Sequence, residues 1–561
     1  MRNESRSYRI RPAAVVAGLI WTVGAAGAAE LTPEWLSRLP VGASLTAGMT
    51  GMVVDAAGVS YVTGISGSSS NTDITTAAYA PDGTLLWSRV WDGPQSWHDQ
   101  ARGIALGPGG LVYVTGNTPG PGFYARVVVL AYDAVTGQLL NSFEYTSGPG
   151  LSEHGASVAV DATGAIFVAG GTVGDGADAL VLAFEPNGQL RWKRTWDGPC
   201  LAPYSQDDAF EVLIDPGGDP VVLIHGVMAS LHPDYVVIKY RAATGATTWE
   251  ANWGVSGGDY PRDMELDARG DVYVTGTGID GQDKFSTIRL AGGDGSLLWQ
   301  AYDWTGYHNG VAGLALDGQG GVYITGSVDP DGDESNLNDN MYTIKRDAQT
   351  GAQLWTHLYG DNCLGCYDFS GDVVADAAGH AFVAGATNSP PYGNDAILLV
   401  LDSATGLETD RGIITGAQLE TAWSRELRFD PDSNLLWGGE ISNVNTGFLD
   451  MSVAKFASLG GGGIPCADTS SFSAVCTAGT IGNVLGVRLV MTDMSHHGEQ
   501  VTIAVDDTAR VSTIRGAVAR LGVRGVAPGP HTVELTDPAG CFAPVTVACP
   551  TGGPSFAPAW R

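Results

Sequence analysis

One strand is written into this chain repeatedly. "GGLVYVTGNT" (Gly109 to Thr118) returns as "RGDVYVTGTG" (Arg269 to Gly278) and as "QGGVYITGSV" (Gln319 to Val328). The glycine that ends the strand stands at Gly64, Gly116, Gly170, Gly226, Gly276, Gly326 and Gly385, a period of about 50 to 59 residues, and a degenerate eighth copy ends near Gly439. Self-similarity at this period restricts the fold to a propeller or a solenoid, because one unit cannot bury its own apolar face.

Each unit reads as four short strands. In the first, "GMVVD" (Gly51 to Asp55) is an apolar run suited to an inner strand, and "GVSYVTG" (Gly58 to Gly64) alternates. "ITTAAYA" (Ile74 to Ala80) follows, then the turn Asp82-Gly83 and a fourth strand that ends at Trp91. No unit carries a helical period, and four antiparallel strands per unit make a propeller blade. The low charged fraction (16%) and the 79 glycines suit an all-β chain rich in turns. The expected fold is therefore all-β: an eight-bladed β-propeller followed by a small immunoglobulin-like β-sandwich.

A tryptophan stands four residues after the turn glycine in five units, as Trp87, Trp192, Trp249, Trp299 and Trp355. Asn141 and Asp410 take its place in two others. An aromatic repeated at one place is expected to pack blade against blade. The eighth unit stops after "MSVAKF" (Met451 to Phe456), one strand short. "PEWLSRLPVG" (Pro33 to Gly42) resembles the fourth strand of the first unit, so the amino-terminal segment is expected to complete the last blade and remove an open edge.

The ends read differently. Arg2, Arg6, Arg9 and Arg11 precede an apolar stretch from Ala13 to Ala28, which reads as a signal peptide cleaved near Ala28 or Ala29. The boundaries are then 1–29 for the signal, 30–459 for the propeller, 460–465 for a glycine-rich linker, 466–550 for the sandwich and 551–561 for a tail. A secreted protein, extracellular or periplasmic, can oxidise its seven cysteines. Cys466, Cys476, Cys541 and Cys549 fall in the last module, where two disulfides allow three pairings. Cys363 and Cys366 form a C-x-x-C that reads as a loop staple, without the haem histidine or a second pair for zinc. The formal net charge of −31 excludes nucleic acid and anionic membranes as partners and admits cations and basic partners.

"DAQTGAQLW" (Asp347 to Trp355), with "DAAGVSYVTG" and "DARGDVYVTG", resembles the SBBP-type β-propeller repeats of bacterial secreted proteins. The first string is also similar to the tryptophan-docking motif of quinoprotein alcohol dehydrogenases, which are eight-bladed. The resemblance spans about residues 33 to 459 and implies fold rather than activity. In the last module, "HTVELTDPAGC" resembles repeats of large bacterial surface proteins.

Two polar registers recur. One lies eight residues before the aspartate that follows the first strand: Ala47, Asp99, Glu153, Asp207, Asp259, Asn309, Asp368 and Ala422. These positions feed the innermost strands and are expected to ring the channel mouth. His98 and His308 stand beside them as candidate bases or ligands. The other register precedes the third strand: Asp73, Arg126, Asp178, Asp234, Asp283, Asp339, Asp395 and Asp450. Clustered carboxylates can hold calcium, raise one another's pKa or recruit a cation, whereas a lone Asp before a strand caps loop amides. "DPDGDESNLNDN" (Asp329 to Asn340) offers Asp329, Asp331 and Asp333 at the spacing of a calcium loop, but Asn340 stands where an EF-hand has its glutamate. His496-His497 reads as a hairpin tip rather than a metal site.

No catalytic motif is present. The reading that follows is a secreted, non-enzymatic, monomeric propeller that binds a protein or polysaccharide through one face. The first alternative is a quinoprotein-like oxidoreductase with pyrroloquinoline quinone and calcium. That resemblance would require a vicinal cysteine pair, which the chain lacks. The second is a hydrolase or lyase that uses Asp99, His98, Asp207 and His308 at the channel mouth.

Overall fold

A computed structural model describes residues 29–39, 46–68, 70–173, 177–200, 206–228, 232–254, 257–279, 283–303, 307–329, 339–360, 367–388, 395–414, 422–442, 449–457, 469–479, 482–491, 500–506, 508–515, 518–537 and 545–549. The expected signal segment up to residue 28, Cys363, Cys366, Cys466, Cys541, Asp331, Asp333 and the His496-His497 pair lie outside the described residues.

The described residues are all β. Eight sheets follow in chain order, each of four antiparallel strands, and one carries a fifth. The first runs Thr46–Val54, Ser60–Ser68, Asn71–Tyr79 and Leu85–Trp91, in the order of the chain. Its turns follow from sequence. Gly58 and Gly83 sit at φ 78° and 83°, where a side chain would be strained, and Asp55 accepts the amides of Ala57 and Val59 at 2.8 and 2.9 Å.

Each pair of successive sheets shares one apolar cluster. Trp87, Tyr61 and Ile74 of the first sheet pack on Val112, Val128 and Tyr132 of the second. The series continues sheet by sheet, and the last cluster joins Leu436, Met451 and Val453 of the eighth to Met49, Met52 and Val62 of the first. The sheets therefore close on themselves as a ring, with no sheet face left bare, which is a β-propeller arrangement. The strand Trp35–Leu39 pairs antiparallel with Leu449–Phe456, so the eighth sheet contains both ends of the ring. Ala29–Leu31 adds in parallel to Glu408–Ile414, the outer strand of the seventh sheet, with Ala29 opposite Asp410.

The repeated tryptophans join neighbouring sheets. The indole N–H groups of Trp87, Trp192, Trp249, Trp299 and Trp355 donate to Ala134, Ala242, Gly292, Ala348 and Ser403 carbonyls of the next sheet, at 2.8 to 3.1 Å. Each ring lies over a turn glycine of that sheet. A Cβ on Gly295 would come within 2.6 Å of the Trp249 ring, which is why the turn keeps glycine there.

In the last module, seven strands between Thr469 and Cys549 form one antiparallel order. Its two outermost strands, Thr469–Gly479 and Val545–Cys549, are joined by the Cys476–Cys549 disulfide. Leu485, Val487, Leu489, Ile503, Ala519 and Val533 make its core.

Candidate functional site

Every innermost strand shifts register at one equivalent place against its neighbour, and Tyr307–Leu316 of the sixth sheet shifts a second time nearer its start. The residue just past the shift is Gly51, Gly103, Ser157, Glu211, Asp263, Gly313, Asp372 and Glu426, in the order of the sheets. A bulge of this kind re-aims a side chain out of the regular alternation. Where the residue is glycine, the next sheet stands close. A Cβ would meet Ile104 Cγ2 at 3.0 Å from Gly51 and the Ala156 carbonyl at 3.1 Å from Gly103. Where it is acidic, the carboxylate reaches across instead. Glu211 accepts the amide of Met264 at 3.0 Å, Asp263 that of Leu314 at 2.7 Å, and Asp372 that of Leu427 at 2.7 Å. The eight sheets repeat one fold, but their central strands do not repeat one chemistry. The acids fall in the fourth, fifth, seventh and eighth sheets.

These acids line a central cavity of about 520 Å³. Glu265 and the arginines Arg262, Arg425 and Arg428 complete its charged wall, and Leu213, Val374 and Phe429 contribute apolar surface. Arg428 is the hub. It pairs with Asp372 at 3.4 Å and, more closely, with Glu426. Arg425 turns toward Glu440 at 3.0 Å.

Five carboxyl groups in one enclosed space cannot all ionise cheaply. Burial, reinforced by Asp263 and Glu265, pushes Glu211 well up. Burial with Glu265 and Asp372 does the same to Asp263. Glu265 and Glu426 are pushed up to about 7, in both cases mainly by burial and with Arg428 opposing. Burial raises Asp372 as well, against the pull of Arg428 and two backbone amides. Burial also works against the Arg428 charge, but Glu426, Asp372, Glu265 and Asp263 outweigh it and hold the guanidinium firmly protonated. Near neutral pH Glu265 and Glu426 can therefore bind or release protons, and a cation entering the wall would have to displace protons from its acids.

The aligned carboxylates named from sequence lie elsewhere. Asp99, Glu153, Asp207, Asp259 and Asp368 are all buried, and none of them lines the cavity. Three of them tie down the loop that enters the innermost strand. Asp99 accepts the Gly93 amide at 2.6 Å and Glu153 the Ser147 amide at 2.7 Å. Asp207 accepts the amides of Gly198 at 2.8 Å and Val227 at 2.6 Å. His98 faces the Thr72 hydroxyl at 3.2 Å. The strand Tyr307–Leu316 carries His308 and Asn309, whose side chains are outside the described residues. Asp329 is buried at the end of Gly321–Asp329.

The cavity carboxylates had a sequence signal. Glu211, Asp263, Asp372 and Glu426 stand four residues past the aligned register. The inner strands read "GMVVD", "GIALG", "SVAVD", "EVLID", "DMELD", "GLALD", "DVVAD" and "ELRFD", and the first letter turns acidic in four of them.

Residues 177–327 match the family model described as outer membrane protein assembly factor BamB. The matched stretch contains the fourth and fifth sheets whole, with Glu211, Asp263 and Glu265. No curated protein matches the chain. Among solved structures, the chain is similar to a quinohemoprotein alcohol dehydrogenase from Comamonas testosteroni at 13% identity and TM-score 0.48, over 76% of each chain. It is similar to a europium-containing methanol dehydrogenase at 12% identity and TM-score 0.46, over 76% of this chain and 93% of that one. The WD40 domain of SCAP from fission yeast matches at 9% identity and TM-score 0.43, over 75% of this chain and 98% of that one.

Proposed function

We propose that this chain is an exported, non-enzymatic binding protein on an eight-bladed propeller, which engages a protein or polysaccharide partner and takes a cationic group of that partner into its central cavity. One observation carries the reading. The inner ring breaks the repeat by placing Glu211, Asp263, Asp372 and Glu426 on one set of sheets and glycine or serine on the others. A structural feature of the repeat would recur in every sheet, whereas a site needs asymmetry. The long-range field agrees, since the formal charge of −31 draws cations toward the ring. The carboxy-terminal module, read as an immunoglobulin-like spacer, would hold the propeller away from its point of attachment.

A pyrroloquinoline quinone does not fit this cavity. The cofactor carries three carboxylates of its own, which would enter a wall whose acids already raise one another's pKa. No step is derived through that group. A hydrolase or lyase is the second reading, favoured by Glu265 and Glu426 at about 7, where a carboxyl can serve as acid and base at neutral pH.

Calorimetry at low salt with spermidine and with a lysine-rich peptide tests the binding reading. The expected result is binding that releases protons at pH 7 and weakens at least tenfold in Glu265→Gln and Glu426→Gln. Absence of binding by both probes, or affinity indifferent to both substitutions, overturns it.

A further inference from the structure

A second acidic constellation lies apart from the cavity, on the first sheet. Asp73 stands just before the buried part of the strand Asn71–Tyr79, Asp92 follows the outer strand Leu85–Trp91, and Asp99 precedes the second sheet. One oxygen from each lies within 4.8 Å of the others. Oxygens on one calcium ion stand about 2.3–2.6 Å from it, so a group this compact can share a single ion.

Proximity of acids alone would not make a site. The second observation is the buried, unpartnered oxygen of Asp99. Asp99 is fully buried (0% exposed), and its Oδ2 takes the Gly93 amide while Oδ1 has no hydrogen-bond partner. Thr118 is also fully buried, and its hydroxyl lies beside Asp99 without hydrogen-bond geometry and likewise unpartnered. A buried acceptor left this way is destabilising unless something fills the place.

The chain itself explains why that oxygen is free. In the third sheet, Asp178, Asp197 and Asp207 occupy the equivalent positions, and "WDGP" precedes the loop in both. There, Asp207 uses both oxygens, on the amides of Gly198 and Val227. Val227 lies two residues past the His225 that pairs with Asp208. The same step in the second sheet, from the Gln100–Asn117 pair, reaches Pro119, which has no N–H to give. Proline at this place removes the donor that closes the third-sheet carboxylate. Elsewhere the constellation is broken: Arg126 replaces the first acid in the second sheet and turns to Glu144 at 2.9 Å.

We infer that Asp73, Asp92 and Asp99 form a calcium site, with Thr118 Oγ1 beside the buried end and the exposed Asp92 as the way in. The ion would pin the Asp92–Asp99 loop, where Ser96 already holds a left-handed φ of 45° and donates to Asp92 at 3.1 Å.

Terbium stands in for calcium, and Trp91 and Trp97 flank the site closely enough in sequence to sensitise its emission. The full chain, freed of metal with a chelator, is titrated with terbium and then with calcium. The expected result is sensitised emission that calcium displaces, with affinity at least tenfold weaker in Asp92→Asn and retained in Asp197→Asn, its third-sheet equivalent. Asp92 is exposed, so the variant is expected to fold, and a wild-type circular dichroism spectrum would establish this. Unchanged affinity in Asp92→Asn overturns the inference, and so does an equal loss in both variants, which would report surface charge alone.

Discussion

The indole of Trp35 donates to the Pro81 carbonyl at 2.9 Å, across the junction between the last sheet and the first. Its ring lies where a Cβ on Gly83 would come within 2.5 Å, as the other tryptophans lie over Gly137, Gly245, Gly295, Gly351 and Gly406. Ser37 on the same strand donates to the Gly83 carbonyl. The amino-terminal strand thus repeats, at the closing seam, the contact that five other tryptophans make between neighbouring sheets. Trp35→Ala should lower stability by roughly 2 kcal/mol, less than a fully buried tryptophan because the side chain is only part-buried. Denaturant unfolding followed by circular dichroism measures this. A change within experimental error would mean that the seam is held by the backbone ladder alone.

Gly295 gives a sharper version of the same contact. It sits at φ 71°, and a Cβ there would lie 2.6 Å from the Trp249 ring. Gly295→Ala therefore combines left-handed strain with displacement of a buried indole, and a loss of about 2–3 kcal/mol is expected. Gly293 is a control two residues away, since nothing stands within 4 Å of its Cβ position and its φ is not left-handed. Gly293→Ala should leave the melting midpoint nearly unchanged, and parity between the two would remove the indole from the explanation.

The ring was legible in the sequence, and the cavity was not. Turn glycines, apolar inner strands and the spacing of Trp87 or Trp299 are local signals that every sheet repeats, so alignment amplifies them. The aligned acids were amplified in the same way, and Asp99, Glu153 and Asp207 each hold an amide of the loop that precedes an innermost strand. Glu211, Asp263, Asp372 and Glu426 show in the sequence as an acidic first letter of their inner strands, but that letter gained meaning only once the backbone showed where each inner strand shifts register. A bulge is fixed by which amides pair across two strands, and no single residue type announces it. The asymmetry of the ring is a departure from the repeat, and aligning repeats hides departures.

Stability should fall as pH rises through neutrality. Glu265 and Glu426 have folded values of about 7 against 4.5 for the free side chain. The folded chain therefore binds more protons than the unfolded chain between about pH 4.5 and 7. The contribution of the protonated groups is whole below that window and is lost on passing through about 7. Urea midpoints should accordingly be lower at pH 8 than at pH 5.5. The double variant Glu265→Gln, Glu426→Gln should flatten that slope. A slope unchanged in the double variant would place the titrating groups elsewhere.

Reduction should loosen the last module and spare the ring. Cys476 and Cys549 close a span of 73 residues. Chain entropy alone gives such a loop a stabilisation of about 4 kcal/mol. In Cys476→Ala, Cys549→Ala, the module's unfolding should move to lower denaturant, while tryptophan fluorescence from the propeller keeps its midpoint. All fifteen tryptophans except Trp560 precede the module, which makes the two transitions separable. A joint shift of both would show that the units unfold together.

Arg428 is where the charge balance of the cavity is most exposed to test. It is the cation that faces Asp372 and Glu426 directly and lowers Glu265 as well. Arg428→Met keeps much of the stem and removes the charge. At pH 8 the acids around it are then left ionised against one another, or must take up protons at the expense of stability. A loss of about 2 kcal/mol is expected, below the range for a fully buried pair because nearly half of the Arg428 side chain meets solvent (43%). At pH 5.5 Glu265 and Glu426 are largely protonated already, so the same substitution should cost clearly less. The pH window thus lies well above that of a simple surface ion pair, which would be weakened by acid only below the ordinary carboxylate range. Urea unfolding of wild type and variant at both pH values measures the difference, and an equal cost at pH 8 and 5.5 would mean that Arg428 acts through packing and not through charge.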